Sequence, residues 1–115
     1  MSHPPPPNAS IAELASGLGM EDARDLVRMF VDSFDSMLAA LSASRREDRC
    51  RAAHSLKSSA RIVGLMTLSR QMGELEDRLS GPTGDVSPAD ILAAREKYEA
   101  VAPTLRAFSA PVAGG

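Results

Sequence analysis

The stretch AAHSLKSSARIVG, Ala52 to Gly64, holds the residues of this chain best suited to group transfer. His54 is followed by Lys57 at i+3, Ser58 at i+4 and Arg61 at i+7, a spacing that gathers all four on one face of a helix. An imidazole offers a nucleophilic nitrogen near neutral pH, and a neighbouring ammonium or guanidinium attracts an anion. Ser58, Ser59 and Ala60 keep the adjoining volume small, so a bulky reactant can approach. A phosphoryl group suits such a surface. His3, by contrast, stands in a run of prolines and is expected to be a solvated residue without a role.

The helix must turn this ring outward. Ala53, Leu56, Ala60 and Val63 recur at spacings of 3, 4 and 3, the seam of a helix packed on a core. At 100° per residue His54 lies about 160° around the axis from Leu56, on the open side. Four further helices are predicted around this one. Ser10 and Glu13 form a capping pattern for a short first helix that Gly17 and Gly19 close. From Glu21 the apolar positions Ala23, Val27, Phe30, Phe34, Met37 and Leu41 predict a long second helix to about Ala43. Ser44 and Glu47 repeat the capping pattern, so the histidine-bearing helix is expected to begin near Arg45. Leu65, Leu68, Met72, Leu75 and Leu79 make the fourth stripe, which SGPTGD stops. Ser87, Pro88 and Asp90 open the fifth, with Ile91, Ala94, Tyr98, Val101, Leu105 and Phe108 facing inward. Pro103 lies inside it and predicts a kink or an end just before it.

Short connections favour antiparallel neighbours. The expected fold is therefore all-α, an up-and-down antiparallel four-helix bundle with a short N-terminal lid helix. Residues 9-109 form the bundle, between a Pro-rich tail at 1-8 and a C-terminal tail at 110-115. At 115 residues the chain suits one domain. Its only aromatic residues are Phe30, Phe34, Tyr98 and Phe108, so the core is expected to be mostly Leu, Met, Val and Ala, with Met29, Met37, Met66 and Met72 as filler.

A net charge of -2 gives no reason to bind nucleic acid or an acidic membrane, although basic residues concentrate between Arg45 and Arg61. A lone cysteine, Cys50, excludes an internal disulfide and any multi-cysteine metal site. No signal-peptide core or membrane-length apolar run is present, so a cytoplasmic monomer is expected. No glycine-rich phosphate loop and no strand-helix alternation point to ATP use, and no cofactor of the chain's own is expected.

Ala53, His54, Leu56, Lys57, Ser59, Ala60, Val63 and Gly64, in that order, resemble the signature of histidine-containing phosphotransfer (HPt) domains, approximately A-H-x-L-K-(G or small)-S-(small)-x-x-(aliphatic)-G. LMTLSRQMGELEDRL continues the resemblance through Leu65, Leu68, Leu75 and Glu76, and GMEDARDLVRMFVDSFDSMLAAL is similar to the preceding helix of the family at Phe30, Phe34, Leu38 and Leu41. Three positions depart from the pattern: Ser58 replaces the commonest glycine, and Arg45 and Arg49 stand where many members carry an acidic residue and a leucine.

The resemblance implies that His54 accepts a phosphoryl group from the aspartyl phosphate of one response-regulator receiver domain and passes it to another. Lys57 would then neutralise phosphoryl oxygens, Arg61 would meet the phosphoryl group or the partner, and Glu76 would orient the second ring nitrogen of His54. Ser58 and Arg61 would border the docked receiver, with a sensor or hybrid histidine kinase upstream. Mg2+ and the reacting aspartate would belong to the receiver, and the chain would be a phosphocarrier without kinase activity of its own. The alternative is a non-catalytic adaptor of the same fold that binds a receiver or a partner helix.

Overall fold

Asn8, not Ser10, starts the first helix. In the computed structural model, which describes residues 4–111, the Asn8 side chain accepts from the Ile11 amide at 2.9 Å and caps α1 (Ala9–Leu18). Its amide nitrogen also donates to the Val63 carbonyl at 3.0 Å, far along the chain. Ser10 offers no such second bond, so the cap falls where one side chain serves both ends. Residues 1–3, with His3, and 112–115 of the two expected tails lie outside the described residues.

Gly19, at φ 96°, makes the sharp joint between α1 and α2 (Met20–Ala39). The chain then tightens into a 3₁₀ turn, Ala40–Ser42, which keeps Leu41 fully buried, so the second helix ends earlier as an α-helix than its stripe suggests. The histidine-bearing helix, α3 (Arg46–Ile62), starts without the Ser44 cap. Arg49, in the first turn of α3, folds back on the entering chain: its guanidinium donates to the Ala43 and Ser44 carbonyls at 2.8 and 3.1 Å and pairs with Asp85 at 3.0 Å. Arg46 reaches the other way and donates to the Leu79 carbonyl, with Nε at 3.0 Å and Nη2 at 2.9 Å, satisfying an acceptor that the end of the next helix leaves open. The arginines around the start of α3 thus brace it, in place of the leucine packing expected at position 49. Arg45 pairs with Glu47 on the surface.

After α3 the chain turns on Gly64, at φ 77°, into α4 (Met66–Ser80). A Cβ on Gly64 would collide with the Asn8 side chain, so this turn also makes room for the start of α1. Ser87 and Asp90 form the expected reciprocal cap of α5 (Pro88–Ser109). α5 runs through Pro103 and ends at Ser109, so of the two outcomes expected at the proline, a kink or an end, the end does not occur. Pro103 is exposed, whereas Ala102, Leu105 and Phe108 are buried beside it, so inward packing holds the helix across the missing amide bond.

All five α-helices pack into one helical bundle around a single apolar core, and no strand occurs among the described residues. The pairs α3–α4 and α2–α5 share the most extensive contacts. Phe34 and Tyr98 stack with ring centroids 3.7 Å apart, joining α2 to α5. On α3 the residues Ala53, Leu56 and Ala60 are buried, and this inward seam rotates His54 to the surface.

Candidate functional site

His54 lies on α3 with 59% of its side chain exposed. Its ring nitrogen Nδ1 stands 2.7 Å from Oε2 of Glu76 on α4. The other oxygen of that carboxylate, Oε1, accepts from Lys57 Nζ at 2.6 Å. One carboxylate therefore joins the histidine to the lysine. The Lys57 bond holds the Glu76 carboxyl below its ordinary value of 4.5, outweighing partial burial, and the His54 bond works in the same direction. An ionised carboxylate only accepts, so in the neutral ring Nδ1 carries the proton and donates it to Glu76. The Nε2 lone pair is left for chemistry, on a ring that is mostly exposed.

Lys57 differs from its expected setting. The spacing suggested a cation free on an open face, whereas the ammonium is held by Glu76 and only 35% of the side chain is exposed. Ser58 and Arg61 are exposed along α3, and no hydrogen bond or ion pair among the described residues links Arg61 to His54, Lys57 or Glu76. An open groove of about 810 Å³ runs along one side of His54, bordered by Cys50, Arg51, Glu76 and Leu79.

The other flank of α3 is apolar. Met29 and Ile62 are 64% and 53% exposed and, with Leu26 and Met37, border a shallow hollow between α2 and α3. The methionines therefore divide: Met72 is buried and Met37 half-buried, but Met29 and Met66 lie on the surface instead of filling the core. Met29 follows the buried Val27 and precedes the buried Phe30, so its place in the helical period, not its residue type, decides its exposure.

Sequence reasoning passed over two residues of α4 beside this cluster. Ser69 is nearly buried and its hydroxyl donates to the Lys57 carbonyl at 3.0 Å. Gly73 lies against the Lys57 side chain. Their signal was the run Ser69, Gly73, Glu76, spaced 4 and 3 beside the apolar stripe of α4. Among the described residues, no three His, Cys, Asp or Glu side chains cluster as metal ligands, and no helix is long and apolar enough to cross a membrane.

The family model of the Hpt domain matches residues 25–104, from the first half of α2 to the last turns of α5. The chain belongs to the HPt domain family. Members of that family act in phosphotransfer within two-component signalling and interact with receiver domains and histidine kinases. No curated protein and no solved structure gives a significant match.

Proposed function

We propose that this protein is a phosphocarrier of a two-component phosphorelay, with His54 Nε2 as the phosphoryl acceptor. The observation that carries the reading is the bond between His54 Nδ1 and Glu76 at 2.7 Å, which leaves Nε2 as the nucleophilic nitrogen of an exposed ring. In the forward step Nε2 attacks the phosphorus of a receiver aspartyl phosphate. The N–P bond forms, the P–O bond to the aspartate breaks, and the aspartate leaves as a carboxylate. The ring keeps its Nδ1 proton and becomes cationic, opposite the Glu76 carboxylate that stabilises it. The reverse sequence hands the group to a second receiver.

Lys57 supplies positive charge beside the incoming phosphoryl oxygens, and Arg61 meets either that group or the receiver. Mg2+ belongs to the receiver, where it neutralises the acyl phosphate. Ser58 leaves clearance for the docking surface, and the exposed Met29 and Ile62 give it an apolar margin on α2 and α3. In this reading the four longer helices run up and down as an antiparallel bundle with α1 as a lid, and the protein works in the cytoplasm as a monomer.

The test is incubation with receiver domains carrying aspartyl phosphate and Mg2+, followed by detection of acid-labile, base-stable phosphate on this chain. Label on the parent and none on a folded His54→Gln variant is the expected result. A chain that binds receivers tightly and takes no label from any of them is an adaptor, and the proposal falls.

A further inference from the structure

Lys57 reaches Glu76 along a path cut into α4. Ser69, Gly73 and Glu76 share one face of that helix, and each touches a different part of the same lysine. Ser69 Oγ donates to its main-chain carbonyl at 3.0 Å. A Cβ on Gly73 would lie 3.3 Å from its Cδ, closer than ordinary van der Waals contact. Glu76 accepts from its ammonium at 2.6 Å. Glycine is unfavourable inside a helix relative to alanine, and Gly73 has no positive φ to account for it. The space it leaves is taken by the lysine stem.

We propose that Ser69 and Gly73 are positioning residues for Lys57, which hold its backbone and stem against α4 so that the ammonium stays beside Glu76 and His54. A lysine whose stem is already confined loses less rotamer freedom when its ammonium turns to an incoming phosphoryl group. Gly73 sets the path because a Cβ there presses on the stem, and a larger side chain competes for the space the stem takes. Ser69 sets the start of that path by anchoring the Lys57 carbonyl. Only the consequence for transfer rests on the phosphocarrier reading; the placement of the lysine does not.

The experiment compares the full chain with Gly73→Leu, Lys57→Ala and the double variant, with Gly73→Ala as a milder change that adds one carbon and favours the helix. Titration of the Glu76 carboxyl by ¹³C NMR reads the lysine contact directly. In Gly73→Leu its midpoint moves up toward the ordinary carboxylate value, because the displaced ammonium no longer holds the proton off, and Gly73→Ala moves it less in the same direction. Phosphoryl transfer from a labelled receiver slows about tenfold in Gly73→Leu, but the same substitution adds no loss in the Lys57→Ala background, because both act through one group. An unmoved Glu76 titration in the folded variants overturns the proposal. Equal loss of transfer in both backgrounds also overturns it and assigns Gly73 to clearance for the partner instead. Should the parent accept no label from any receiver, the phosphocarrier reading falls, and the Glu76 titration alone decides the positioning role.

Discussion

Replacing Glu76 by glutamine tests the electrostatics of the acceptor with little change in shape. The amide oxygen still accepts from Nδ1, so the ring keeps its tautomer, but the negative charge opposite the ring is gone. Phosphorylation at Nε2 makes the ring cationic, and the 2.7 Å contact to Glu76 then becomes a bond between two charges. Such bonds are about twice as strong as neutral ones, whose net worth is about 1 kcal/mol, so the substitution removes about 1 kcal/mol from the phosphorylated state. That corresponds to about a fivefold shift of the phosphoryl group back toward the receiver. The fold is affected less, because the Lys57 pair lost at the same time is partly exposed, with side chains at 35% and 20%, and such pairs contribute about 0–1 kcal/mol. The assay mixes phosphorylated receiver with parent or variant, lets the label equilibrate, and separates the proteins under alkaline conditions that preserve phosphohistidine. A partition unchanged from the parent, or shifted toward His54, refutes the role given to the carboxylate.

Gly64→Ala should be destabilising by about 2–3 kcal/mol, since alanine at φ 77° costs about 1–2 kcal/mol and its Cβ displaces the Asn8 cap at about 1 more. Chemical denaturation measures it, and Asn8→Ala alone should account for the smaller part. Met29→Asp should weaken receiver binding about tenfold by calorimetry and change stability by less than about 0.5 kcal/mol, because the side chain is 64% exposed. Loss of the fold would return Met29 to the core; unchanged affinity would remove it from the docking margin. Because the folded-state value of Glu76 is depressed, its contribution to stability is fully present above 4.5 and is lost as pH falls through the lower folded-state value. Denaturation followed from pH 6 to 3 should therefore show a shallower acid-side decline in Glu76→Gln than in the parent, and parallel curves would contradict it.

Apolar spacing made the helices legible, because burial on one face depends on the local period alone. The cap at Ser87 was equally readable, since its partner Asp90 lies three residues away. Ser10 and Ser44 offered the same local pattern without forming the cap. At the first, Asn8 gains a bond to Val63; at the second, Arg49 takes up the Ala43 and Ser44 carbonyls. The first outcome depends on a distant part of the chain, and in the second the arginine that turns back on its own helix entry also pairs with the distant Asp85. At Pro103 the sequence left a kink or an end open, and the end is ruled out because burial of Ala102, Leu105 and Phe108 outweighs one missing hydrogen bond. At the site, the helical period turned His54 outward, and the family resemblance directed attention to Glu76. That the same carboxylate also holds Lys57, along a path past Gly73, depends on how α4 lies against α3, and neither helix alone contains that alignment.

The α3–α4 pair is fastened along much of its length. Arg46 grips the Leu79 carbonyl near one end, Glu76 joins His54 and Lys57 midway, and Ser69 bonds the Lys57 carbonyl toward the other end. Sliding one helix along the other by a single turn, about 5.4 Å, would break every one of these links at once. The orientation of the histidine is thus settled during folding and need not be found during each encounter. Differences in transfer speed between receivers should then arise chiefly from how each partner seats itself, with the acceptor serving as a fixed reference against which their geometries are compared.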